Sequence, residues 1–363
     1  MAVKGLGGIL LGAQHNFAWL TGGSSNGIDL SREQGAGYLL VRRDGKGFLL
    51  ANNIEVPRLL GEELSGDDFE PIEISWQEEK GSFEAVLDKA RAVLNGGGGL
   101  AIDIFLNDKL PVVEPLISRC RYELTSGEIE RIRQLGSDAG RVIGEVLTTL
   151  MPGESEIQIA AKVRNALERY GMFSVVTLVG ADKRIEIFRH PVPTENVWEK
   201  TLLIAVCARR RGLIVSLSRI VCAGDIPAEL ERRTGAAAAV NAKLAFATVA
   251  GAKGSDLYYV ASDAYAKQGF ADEINKHHQG GACGYKTREW VAHPKSRETV
   301  FSNQAFAWNP SITGTKVEET GLVTEKGLEI ITATPEFPRI GVEIDGQEYF
   351  SPGILSLSKG VSA

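Results

Sequence analysis

The chain has 363 residues, a formal net charge of -6, 44% apolar residues and 24% charged residues. That length exceeds one ordinary core and predicts two domains of normal globular composition. The acidic balance and the lack of a dominant Lys/Arg block argue against a nucleic-acid partner. No run approaches the roughly 20 apolar residues that span a bilayer.

The opening MAVKGLGGILLGAQHNFAWL has a short apolar run and no small-residue cleavage site. It reads as folded chain rather than a signal peptide, and the expected location is cytoplasmic. GAGYLLVRRDGKGFLLANN predicts two strands joined by a turn at Asp44-Gly45. Phe83, Val86, Leu87, Ala90, Val93 and Leu94 fall at helical spacing. Asn95 and Gly96 to Gly99 end that helix, and LAIDIF reads as a buried strand. Alternating strand and helix make an α/β first domain. A boundary near residues 108–125 gives domains 1–122 and 123–363.

Thr125 and Glu128 form a capping box that opens a helix running to about Leu150, where Pro152-Gly153 breaks it. A second helix covers 156–170. Arg184, Glu186 and Arg189 alternate with Ile185 and Ile187 as in a strand. Residues 197–223 read as strand, basic turn and strand, with Arg209-Arg210-Arg211 at a solvated tip. Helices follow over 228–250 and 255–268, and the remainder is rich in strands and hairpins. Cys120, Cys207, Cys222 and Cys283 show no CxxC pair and read as free thiols.

The segments HHQGGACGYKTREW and QAFAWNPSITGTKVEETGLV carry a pattern of glycines, an Asn309-Pro310 pair and a Val317-Glu318-Glu319-Thr320 box. Together they resemble the pita-bread superfamily of aminopeptidase P, prolidase, methionine aminopeptidase and creatinase. The resemblance implies an α+β chain: a C-terminal pita-bread domain after a creatinase-type N-terminal α/β domain. His15 to Gly23 is similar to the strand and loop that enter that first domain. Asn26, Asp29, Arg32 and Glu33 follow in a loop. In dimeric relatives such a loop caps the partner's site, so a homodimer is implied.

Most members hold two metal ions with five side chains. Their hairpin pattern, D-x-G-x4-G-Y-x-x-D-x-T-R, matches here at Gly212 and Arg219 but places Ala205 and Ser216 at the aspartates. Gly281 takes the place of the loop histidine and Asn309 that of the E-P-G glutamate. Glu318 alone keeps its carboxylate. One carboxylate and one neutral amide do not hold a metal pair, so no cofactor is expected. In another register Glu289 and Glu319 would add oxygen ligands, while Asp225 lies past the strand. His277 and His278, adjacent in a strand, would face opposite sides.

In creatinase, a metal-free member that cleaves a C–N bond, the histidine matching His190 is the acid/base group, a role that suits imidazole. On the residues alone, a histidine before Pro191 reads first as structural. Arg288 takes the place of a second substrate-site histidine; a guanidinium there would grip a carboxylate, or pair with Glu289 at the surface. Asn309 offers a donor and an acceptor. His277, His278, Tyr285 and Arg189 are further candidates for substrate binding. Tyr285 reads equally as core, and Cys283 as a buried thiol rather than a nucleophile.

The expected function is a metal-independent hydrolase or lyase acting on a C–N bond of a small polar, carboxylate-bearing substrate. His190 would move the proton, and Glu318 and Asn309 would orient the substrate. Two other classes stay open: a metal-dependent Xaa-Pro aminopeptidase or dipeptidase, and a non-catalytic pita-bread protein that binds peptides or proteins.

Overall fold

The computed structural model describes residues 1, 4–64, 68–94, 97–106 and 108–357. The chain divides into two compact units, Met1–Arg121 and Tyr122–Ala363. No helix among the described residues is long and apolar enough to cross a membrane.

The first unit holds β1 (Leu6–Ala13), α1 (Gln14–Leu20), β2 (Gln34–Arg42), β3 (Gly47–Asn52), α2 (Val56–Arg58), β4 (Phe69–Ile74), α3 (Trp76–Gly81), α4 (Phe83–Ala92), β5 (Gly99–Ile102) and α5 (Glu114–Cys120). Its mixed sheet runs β4-β3-β2-β1-β5. Tyr38 pairs with Leu50 and Val41 with Gly47 across the expected turn, where Gly45 takes φ 89°. Neighbours along a strand enter different cores. Leu40 and Leu50 pack with Val86 and Leu87 of α4, while Leu39 and Leu49 pack with Phe17 and Leu59 on the other face. Covering both faces explains why these strands read as continuous apolar runs. The strand expected through Phe105 stops at Ile102, because Asp103 turns its carboxylate onto the Gly12 and Ala13 N–H groups at 2.8 and 3.0 Å. The helix stop expected at Asn95 and Gly96 lies outside the described residues.

The second unit opens with α6 (Ser126–Leu147) and α7 (Glu156–Glu168), each with a complete capping box. Then come β6 (Phe173–Ala181), α8 (Lys183–Ile187), β7 (Thr201–Arg210), β8 (Leu213–Ala223), α9 (Ala228–Ala247) and α10 (Gly254–Lys267). The strand pattern expected around Arg184 is instead helix α8. Asp182, at φ 52°, turns the chain there, and its carboxylate accepts the N–H groups of Glu199, Lys200 and Thr201 at the start of β7.

The remaining strands are β9 (Gly280–Cys283), β10 (Trp290–Val291), β11 (Ala305–Trp308), β12 (Ser311–Ile312), β13 (Thr315–Lys316), β14 (Glu319–Thr324), β15 (Gly327–Ile330), β16 (Arg339–Ile344), β17 (Gln347–Pro352) and β18 (Ile354–Leu357). Two larger sheets result, β18-β8-β7-β6 and β10-β9-β11-β14-β15. Ser218 on β8 bridges to Glu318, its N–H donating to the Glu318 carbonyl at 3.2 Å. That seam fixes the floor of the site.

Buried Arg219 locks the seam. It pairs with Glu319 at 2.9 Å and donates to the Thr332 carbonyl at 2.7 Å and the Thr334 hydroxyl at 2.8 Å. The segment carrying those threonines lies hard against α6. A Cβ at Gly140 would sit 2.2 Å from the Ala333 carbonyl oxygen, and one at Gly136 would sit 2.4 Å from that of Ile331. Only glycine allows that approach.

Candidate active site

A cavity of about 140 Å³ opens beside the seam, lined by Val176 and Leu178 of β6, Ala205 and Cys207 of β7, His190, His278, Thr287, Arg288, Asn309, Lys316 and Glu318. Glu318 is 3% exposed at its base. Its Oε2 meets the Lys316 ammonium at 3.0 Å and accepts the Ser218 hydroxyl at 2.6 Å. Its Oε1 accepts from Arg288 Nη2 at 3.1 Å. Burial pushes the Glu318 carboxyl up, but Lys316, Arg288 and Ser218 outweigh it and hold the group at about 2. Glu318 is therefore a carboxylate gripped by two cations.

Arg288 does not pair with a surface neighbour. Its Nη1 donates to the Thr287 carbonyl at 2.6 Å and the Ser216 hydroxyl at 3.3 Å, and Ser216 in turn donates to the Cys207 sulfur at 3.2 Å. Two residues that line the cavity each carry a buried polar atom with no protein partner: Arg288 Nε, a donor, and Asn309 Oδ1, an acceptor. A buried polar group left unpaired is costly, and a ligand that reached either atom would relieve that cost.

His190 follows α8 and is exposed at the rim. Arg189 fixes the loop by donating to Ser311 Oγ at 3.1 Å and Thr313 Oγ1 at 3.0 Å, and it pairs with Glu273. Arg189 is thus a positioning residue rather than a wall of the cavity. Burial and then Lys316 push the His190 imidazole below its ordinary range, against an opposing pull from Glu318. It is neutral at pH 7 and able to accept a proton.

His277 and His278 are not in a strand, and the expectation of opposite faces is overturned. Their rings stack at 4.4 Å, and His277 meets His190 edge-on at 4.9 Å. The chain leaves the 3₁₀ turn Ala271–Asn275 without strand pairing until Gly280, which frees both side chains to converge. Tyr285 is turned away from the cavity. Its hydroxyl donates to Glu128 Oε1 on α6 at 2.7 Å and receives Arg131 at 3.1 Å. Cys283 is fully enclosed and burial pushes its thiol up to about 12, which removes the thiolate a nucleophile needs. Asp225, Glu289 and Glu319 do not line the cavity.

Lys316 and Ser218 did not stand out in the sequence, and Cys207 stood out only as a free thiol. The signal for Lys316 was present: on an extended segment, residues two apart share a face, so Lys316 belongs beside Glu318.

The donor set does not fit a pair of divalent cations. Glu318 is the one carboxylate among the described cavity-lining residues, and two side-chain cations already hold it. Ala205 offers a methyl group. No side chain fits at Gly281, because a Cβ there would lie 2.1 Å from the Trp290 carbonyl oxygen of β10.

Comparison with known proteins places this geometry. The X-Pro aminopeptidase of Thermotoga maritima matches with a TM-score of 0.77 at 18% identity, covering 98% of this chain and 99% of that one. A dipeptidase from Pyrococcus horikoshii matches at 0.77 and 18%, covering 92% and 95%. The N-terminal domain of the FACT complex subunit SPT16 from Cicer arietinum matches at 0.66 and 13%, covering 91% of each. No curated protein sequence matches. These likenesses establish the α+β pita-bread fold expected from the sequence. A sequence profile of metallopeptidase family M24 matches residues 130–325, more than half the chain, and the chain belongs to that family.

Proposed function

We propose that this M24 member works without the family's two-metal centre, as a hydrolase or lyase on a C–N bond of a small, polar, carboxylate-bearing molecule. One observation carries the reading: Glu318 is neutralised by Lys316 at 3.0 Å and Arg288 at 3.1 Å, inside the protein. Two cations against one carboxylate leave a positive charge in surplus, which selects an anionic substrate. Arg288 Nε is the unpaired donor for its carboxylate, and Asn309 Oδ1 the unpaired acceptor for an N–H. The half-exposed side chains of Val176 and Leu178 cover its apolar part. In hydrolysis His190 takes a proton from water as the oxygen attacks carbon, and returns it to the leaving nitrogen. In elimination it takes a proton from the carbon next to the C–N carbon as the C=C bond forms and the C–N bond breaks, and passes that proton to the leaving nitrogen.

A turnover screen tests this. Small guanidino, ureido and N-acyl amino acids are offered in chelator, beside Xaa-Pro dipeptides with Mn²⁺. Chelator-resistant cleavage of a carboxylate-bearing compound, lost in Arg288→Met, is expected. The family match favours a second reading, a metal-dependent Xaa-Pro peptidase. Cleavage of the dipeptides only with Mn²⁺ would establish that reading instead.

A further inference from the structure

The three histidines that converge at the cavity rim are a second constellation, separate from the five positions where relatives hold metal. His190, His277 and His278 each present one ring nitrogen, and these nitrogens lie within 4.8 Å of one another. His277 Nε2 and His190 Nε2 are 3.0 Å apart. A tetrahedral zinc ion with bonds of about 2.0–2.1 Å holds its nitrogen ligands about 3.4 Å from each other. The cluster therefore closes around one ion by small ring rotations.

Other features of the cluster suit a ligand set. His277 Nδ1 faces the His278 carbonyl oxygen, so that nitrogen carries the hydrogen and Nε2 keeps its lone pair. Burial holds His277 and His278 at about 3 and about 4, with Lys316 lowering both and Arg288 also lowering His278; both imidazoles are neutral near pH 7. His190 and His278 also line the cavity, so an ion held by them would lie at its edge. The surplus positive charge of Lys316 and Arg288 opposes a cation there. Glu318 offsets part of it, and an anionic fourth ligand offsets the rest.

We propose that His190, His277 and His278 bind one divalent transition-metal ion of the zinc class at the cavity rim, at a site distinct from the family's two-metal centre. An ion there takes the His190 lone pair, so it inhibits turnover; that consequence, unlike the binding, rests on the function proposed above.

Equilibrium dialysis of the chelator-stripped full chain against Zn²⁺ tests the binding without reference to activity. Co²⁺ substitution adds a visible ligand-field spectrum that reports tetrahedral nitrogen ligation. The expected result is about one equivalent of tightly held ion, weakened at least about 10-fold in His190→Ala and in His277→Ala/His278→Ala. His293→Ala, a histidine outside the cluster, keeps full binding and controls for the loss of an imidazole. Circular dichroism checks that each variant folds. Absence of stoichiometric binding in the wild-type chain, or binding unchanged in both cluster variants, overturns the site. Zn²⁺ that binds through the cluster and leaves turnover intact upholds the site and overturns the acid/base role of His190.

Discussion

Replacing Lys316 with Met removes one of the two cations that hold Glu318 and leaves a side chain of similar length in its place. The Nζ–Oε2 distance is 3.0 Å and both side chains are nearly enclosed, at 6% and 4% exposure, so solvent screening is slight. Breaking a buried pair costs about 3–5 kcal/mol when the remaining charge is abandoned. Glu318 is not abandoned, because Arg288 and the Ser218 hydroxyl stay. Linkage gives a second bound. A carboxyl held at about 2 instead of its ordinary 4.5 contributes about 3 kcal/mol at pH 7, shared among these partners. About 2 kcal/mol is therefore expected for Lys316→Met. For a unit of this size that is about 4–8 °C in melting temperature. Urea unfolding followed by Trp198, Trp290 and Trp308 fluorescence reports this unit. A double-mutant cycle with Glu318→Gln isolates the pair, and its coupling energy should be about 2 kcal/mol. A coupling below about 0.5 kcal/mol, the range of independent sites, would refute the claim that Lys316 neutralises Glu318.

Other predictions test separate links. His190→Ala should lower turnover about 10² to 10⁴-fold with the fold intact, and wild-type turnover should fall with acid along a limb below the ordinary imidazole value of about 6.5. The sign follows from the depressed His190 pKa: the neutral base persists as pH drops and is lost only when that lower value is crossed. Adding carboxylates with Ala205→Asp/Ser216→Asp should not create a two-metal centre, because the new groups meet Lys316 and Arg288 and the Gly281 position has no room. Tight calorimetric binding of two Mn²⁺ by that double variant would contradict this. Gly140→Ala should destabilise the second unit by about 1–3 kcal/mol through forced displacement of the Ala333 segment, and unchanged urea stability would show that α6 yields at no cost.

Much of this was legible in the residues, for reasons that differ by element. The Thr125–Glu128 box marked the start of α6 because capping is a local transaction between side chain and backbone. The Asp44-Gly45 turn was readable for the same reason. Strand β6 was overlooked, although Val175-Val176-Thr177 is a β-branched run, and it supplies two walls of the cavity. Around Arg184 the apparent alternation misled, because Asp182 spends its carboxylate on backbone far along the chain. The convergence of His277 and His278 onto His190 depends on a loop path that no periodicity encodes. The orphaned Arg288 Nε and Asn309 Oδ1 are properties of packing, invisible until the whole seam is assembled.

The proposed function has Lys316 and Arg288 hold Glu318 without the metal pair of this family's metal-dependent members. Native mass spectrometry of the His277→Ala/His278→Ala chain in excess Mn²⁺ tests it most directly, since that variant lacks the rim histidines and needs no substrate. A chain with no bound metal is expected. Two Mn²⁺ ions per chain, retained through buffer exchange, would contradict it.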